Sequence, residues 1–138
     1  MKKYLILASI SIVSVIAIVV IIFAQFESDF NESTKISEKI ITDNIISITM
    51  SSSRPGCEKN ECYSPAKTSI NTGQTITWIN NDRGLHTVTT GYYDSPNGII
   101  ESPQILPDDN FSFTFYNSGE FHYYCRLHPW MEGVVVVR

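Results

Sequence analysis

The chain has 138 residues, of which 43% are hydrophobic and 17% charged, enough for one modest globular domain with an appendage and nothing larger. A net charge of -4, with no basic stripe and no glycine-rich phosphate cradle, argues against nucleic acid and other phosphate polyanions as partners.

Met1-Lys2-Lys3 leads into an apolar run from Tyr4 to Ala24, broken only by the small serines Ser9, Ser11 and Ser14. That run is long enough to cross a bilayer and exceeds the roughly 7 to 15 apolar residues of a signal-peptide core. The lysines would stay in the cytoplasm. Ile22-Phe23-Ala24 places a bulky residue where a cleavage site wants a small one, so residues 1–24 read as an uncleaved transmembrane helix in preference to a removed signal peptide. Either way the remainder is expected outside the cytoplasm, in the periplasm or at the cell exterior.

Residues 25–44 are polar and of mixed charge, with Glu27, Asp29, Glu32, Lys35, Glu38, Lys39 and Asp43. Ile36 and Ile40 permit a short amphipathic helix, but a mobile linker is the expectation. From Ile45 the period becomes two. Ile46, Ile48 and Met50 alternate with Ser47 and Thr49, Ile76 and Trp78 with Thr75 and Thr77, and Phe111, Phe113 and Phe115 with Ser112 and Thr114. Asp94 to Gly98 reads as a loop and Asn117-Ser118-Gly119 as a turn. Many short strands without a sustained helical period predict an all-β domain over residues 45–138, an antiparallel Greek-key β-sandwich.

Three cysteines in an exported chain leave one over if two pair. Cys57 and Cys62 would make the pair and Cys125 the remainder. The alternative for Cys57 and Cys62 is a second metal site with their acidic neighbours, for which no histidine lies nearby.

Chemistry concentrates in Cys125-Arg126-Leu127-His128-Pro129-Trp130-Met131, where Cys, His and Met recur at a spacing of three. Thiolate and thioether are soft donors and imidazole is borderline, a set that suits copper; two His, one Cys and a weak axial Met make a blue-copper electron-transfer site. His86 can supply the missing histidine, since alternation would put His86 and Val88 on the inward face, opposite to Thr87 and Thr89. His122 has the outward parity of Tyr124, opposite to Phe121, Tyr123 and Cys125, and is expected on the surface.

At these residues the chain resembles the cupredoxins, the type I blue-copper proteins, in their amicyanin and plastocyanin branch. The resemblance runs from about Ile45 to the C-terminus and rests on Cys125-x-x-His128-x-x-Met131, on Pro129 and Gly133, and on Trp78-Ile79-Asn80 ahead of His86. It implies His86, Cys125 and His128 as strong ligands of one copper ion, which would cycle between Cu(I) and Cu(II), with Met131 as the weak axial ligand. Asn80 would tie the His86 segment to the Cys125 loop. Arg126 and Leu127 depart from the small residue and proline usual in relatives, and Leu85 stands where amicyanin has proline.

Four ligands leave no open coordination position, so the expectation is a one-electron carrier with no small-molecule substrate, not an enzyme. A copper store or delivery protein is the alternative, and the chain has no Met-rich or His-rich tract to favour it. Redox proteins are expected to dock near His128, Leu85 and Trp130.

Overall fold

A computed structural model describes residues 2–138, with the side chains of the first helix described over residues 15–35. The chain divides into two compact units, Met1–Ile40 and Ile41–Arg138.

In the first unit begins helix α1 (Lys2–Asp43), which runs unbroken because neither proline nor glycine occurs before Pro55. The mobile linker expected over residues 25–44 is therefore helical as far as Asp43. Ser28 and Thr34 donate their hydroxyls to the Gln25 and Phe30 carbonyls at 2.8 and 2.9 Å, so these polar side chains are bonded within the helix they occupy. Large apolar side chains between Val15 and Phe30 are exposed. Among the described residues no helix is long and apolar enough to cross a membrane; Tyr4 to Ser14, the first part of the expected span, lies outside the described side chains.

The second unit is built from β1 (Ile45–Ile48), β2 (Tyr63–Ser64), β3 (Lys67–Ile70), β4 (Thr75–Asn80), β5 (Thr89–Tyr92), β6 (Ser95–Glu101), β7 (Asn110–Thr114), β8 (Gly119–Cys125) and β9 (His128–Val137). Two sheets result, in the orders β2-β1-β4-β7 and β3-β9-β8-β5-β6. Period-two alternation gives each strand one apolar face, and the sheets bury those faces against each other. Ile46, Ile48, Ile76 and Trp78 of the first sheet and Tyr123, Cys125, Met131 and Val135 of the second are almost wholly buried in one core. Each large apolar side chain so buried contributes about 1.5–3 kcal/mol.

Three expectations change. The sandwich is mixed, since β1 pairs with β4 and β3 with β9 in parallel. Both pairs join strands far apart in the chain, which leaves room for the crossover that parallel neighbours need. Met50 does not continue the buried face of β1, because the strand ends at Ile48 and Met50 is exposed. Ser95 to Gly98 is not loop but the start of β6, paired to β5 through Gly91↔Pro96 and Tyr92↔Ser95. As the outer strand of its sheet, β6 can carry Pro96, whose missing N–H costs no bond there.

Gly133 faces Tyr123 across β8 and β9, and a Cβ at that position would overlap the Tyr123 ring. Gly133→Ala should therefore lower the unfolding free energy by about 1–3 kcal/mol. Denaturant melts check this, and an unchanged midpoint would mean that the ring can move aside.

Candidate metal centre

β8 ends on Cys125 and β9 starts on His128, so Arg126-Leu127 is the whole turn between them. The register runs evenly from Gly119↔Val137 to Tyr124↔Glu132 and then jumps to Cys125↔His128. Pro129, Trp130 and Met131 are the excess on β9, a bulge that frees side chains from the ladder. Met131 is wholly buried in the core cluster that holds Cys125.

His86 comes from another segment, joined to Ile105 by an isolated bridge with backbone bonds of 3.2 and 2.8 Å. It precedes β5, and the alternation expected over residues 86–89 is not visible in burial, because His86, Thr87, Val88 and Thr89 are all buried.

These pieces meet at one sulfur. Cys125 Sγ lies 3.9 Å from His86 Nδ1 and 3.6 Å from His128 Nδ1, and the two ring centroids are 4.8 Å apart. Donors held about 2.0–2.3 Å from a common ion at 110–120° stand about 3.6–3.8 Å from each other. The spacing and the donor types therefore fit a single borderline-to-soft ion.

His86 Nε2 lies 3.0 Å from Asp82 Oδ2, which fixes the proton on that nitrogen and leaves the Nδ1 lone pair facing Sγ. Burial pushes the Asp82 carboxyl up. The Ser53 N–H, the His86 ring and the Ser51 and Arg83 N–H groups outweigh it and hold Asp82 well below the usual carboxylate range. Burial lowers the pKa of His86 against the pull of Asp82, and does the same at half-buried His128. Both shifts favour the neutral ring, the form that can coordinate a metal.

Thr87 holds the sulfur. Its N–H donates to Cys125 Sγ at 3.3 Å, its hydroxyl oxygen accepts the Arg126 N–H at 2.9 Å, and its carbonyl accepts the Tyr63 hydroxyl at 2.6 Å. Asn80 is buried and donates to the Gly84 and Ile105 carbonyls at 2.8 and 3.0 Å, so it braces the approach to His86. The bonds of the Asn80 amide do not reach the Cys125 turn as expected; Thr87 makes that tie, through Cys125 Sγ and the Arg126 N–H. Sequence reasoning missed both Thr87 and Asp82. Asp82 stands four residues before His86, which was the only available signal.

Cys57 and Cys62 are bonded to each other, and Cys125 is free and buried. The bridge displaces the alternative of a second metal site there, although Glu58 lies near both sulfurs. His122 stays outside the centre, bonded to Glu120 at 3.1 Å and stacked near Tyr92. Tyr124 shares its outward parity yet is buried, lying edge-on to Tyr93.

A two-sheet sandwich that closes one cysteine and two histidines around a common point defines a copper-binding β-sandwich. The profile described as "Copper binding proteins, plastocyanin/azurin family" matches residues 56–138, and the chain belongs to that family, whose members bind one copper ion. Amicyanin of Paracoccus denitrificans is 31% identical over 75 residues, which cover 54% of this chain and 57% of that protein. Plastocyanin of Scenedesmus fuscus is 26% identical over 84 residues, covering 55% and 86%. The match spans less than two thirds of the length of the amicyanins it resembles. Among solved structures, a novel purple cupredoxin from Nitrosopumilus maritimus superposes with a TM-score of 0.63 at 29% identity, covering 68% of this chain and 98% of that one. A copper(I) form of an amicyanin mutant gives 0.53 at 25% identity, covering 68% and 80%.

His86→Ala should abolish stoichiometric copper(II) binding while His122→Ala leaves it intact, as measured by titration with metal analysis. Equal loss in both variants would contradict the placement of His122.

Proposed function

We propose that the chain is a one-electron carrier whose copper is held by His86, Cys125, His128 and Met131. The observation that carries this reading is the donor set itself, with one buried sulfur 3.6 and 3.9 Å from two imidazole nitrogens. Bound there, copper supplies a one-electron couple, and Met131 is the remaining soft donor available in the same core. The protein's part is to keep the donors still. Thr87 fixes the sulfur, Asp82 fixes the His86 ring, and burial of His86, Cys125 and Met131 excludes water. A donor set filled by side chains leaves no place for a substrate, which favours transfer over catalysis.

We place the copper domain outside the cytoplasm, held to the membrane as a single-pass protein by the Tyr4 to Ala24 run behind Lys2 and Lys3. Electrons enter and leave at the end of the sandwich where half-buried His128 emerges. Exposed Leu85 and Leu127 and half-buried Trp130 make a small apolar rim there, of the kind that suits brief docking of redox proteins. Trp130 also supports the fold, because its ring N–H donates to the Ser52 carbonyl at 3.1 Å.

The copper(II) form should show an intense thiolate-to-copper band that Cys125→Ser removes. A colourless wild-type protein with one bound copper ion would refute the ligand set. Leu85→Glu should slow electron exchange with a redox partner by about tenfold while the copper spectrum stays unchanged, whereas an unaltered rate would move docking elsewhere. For the anchor, carbonate extraction of membranes should leave the full chain in the pellet. Finding instead a soluble mature chain that starts near Gln25 would replace the anchor with a cleaved signal.

A further inference from the structure

The loop Thr49–Cys62, between β1 and β2, reaches the surroundings of both histidines. The Ser51 and Ser53 N–H groups donate to Asp82 Oδ1 and Oδ2 at 2.8 and 2.9 Å, and Asp82 Oδ2 lies 3.0 Å from His86 Nε2. Between them, the Ser52 carbonyl accepts the Trp130 ring N–H at 3.1 Å, and the Trp130 ring lies 5.4 Å from that of His128. Three consecutive residues therefore lead to two imidazoles.

The Cys57–Cys62 bond closes the second part of this loop, residues 57–62. The Cys62 carbonyl accepts the Thr49 N–H and the Ser52 hydroxyl, each at 3.0 Å, and Ser52 is wholly buried. Cys57 Sγ lies 3.6 Å from the Ser52 carbonyl oxygen. The loop also packs on the turn that leads to His86, since a Cβ on Gly84 would come within 2.8 Å of the Ser53 Cβ. The groups bonded to Asp82 and Trp130 lie on residues 51–53, outside the six-residue ring, and are tied to it through Ser52, whose hydroxyl bonds the Cys62 carbonyl and whose own carbonyl lies against Cys57 Sγ.

We propose that this disulfide-closed loop is a positioning element for the copper site, holding the His86 and His128 rings together in their places, and that opening the Cys57–Cys62 bond loosens both. The inference rests on the copper reading above. A carboxylate bonded to the far nitrogen of a ligating imidazole orients the ring and makes it a stronger donor, and loss of such a partner typically costs about 10–100-fold in metal affinity. A weaker imidazole donor favours copper(I), so opening the loop raises the midpoint potential.

The test uses the full-length chain in detergent, with Cys57 and Cys62 both replaced by serine. In the metal-free protein, the His86 Nε2 proton should be protected from exchange in the wild type and lost to exchange broadening in the double variant. Loaded with copper, the double variant should bind copper(II) about tenfold more weakly and have a more positive midpoint potential. Neither change should grow further when the cysteine replacements are added to an Asp82→Asn, Trp130→Phe background. A folded double variant with a protected His86 proton and an unshifted potential overturns the proposal, and so does a full-size shift that persists in that background. If the double variant does not fold, Gly84→Ala decides with the bridge intact: it pushes Ser53 away from Asp82 and must reproduce the loss of proton protection and the shift. A wild-type chain that takes up no copper defeats the copper reading alone, because the His86 proton is read without metal.

Discussion

The structure depends on a cysteine sulfur that is wholly buried at the end of β8 and kept within reach of two imidazole nitrogens. Burying polar groups is costly unless each finds a partner. The cost is met locally here: Thr87 bonds the sulfur, Asp82 bonds His86, and four donors converge on Asp82. The surrounding sandwich reads as the frame that keeps these bonds aligned.

Rigidity follows from where the donors are attached. Cys125 ends one strand and His128 begins the next, and their mutual pairing resumes the ladder beyond a bulge. His86 is bridged to Ile105, whose carbonyl also takes the Asn80 amide. Cys125 and His128 thus hang from paired strands, and His86 from a bridged segment. Side chains fixed in this way by bonds to the protein hold the donors in one geometry, as a preorganised metal site requires.

Tyr63 and Tyr123 show how core and centre merge. Their rings meet edge to face at 4.9 Å, Tyr123 leans on Trp78 at 5.4 Å, and Tyr63 passes its hydroxyl to the Thr87 carbonyl at 2.6 Å. Burial pushes the pKa of both phenols up, so both stay neutral and can pack against the sheets. The aromatic core therefore presses directly on the residue that holds the sulfur.

Much of this was legible in the amino-acid order. Period-two alternation located β1, β4, β7 and β8, because a strand with one buried face must alternate. The spacing of Cys125 and His128 pointed to two side chains that the fold gathers with His86, and parity kept His122 outside them. Cysteine arithmetic separated the bridge from the free thiol. Other features depended on contacts between residues far apart in the chain. No local pattern reveals that β1 lies parallel to β4, that Pro96 belongs to an edge strand, or that α1 continues through a polar segment to Asp43. Likewise Asp82 and Thr87 are an ordinary acid and an ordinary threonine until folding brings Ser51, Ser53 and Arg126 to them. Donor identity is a property of side-chain chemistry and can be read from the chain, whereas the bonds that orient the donors exist only once distant backbone is brought within about 3 Å.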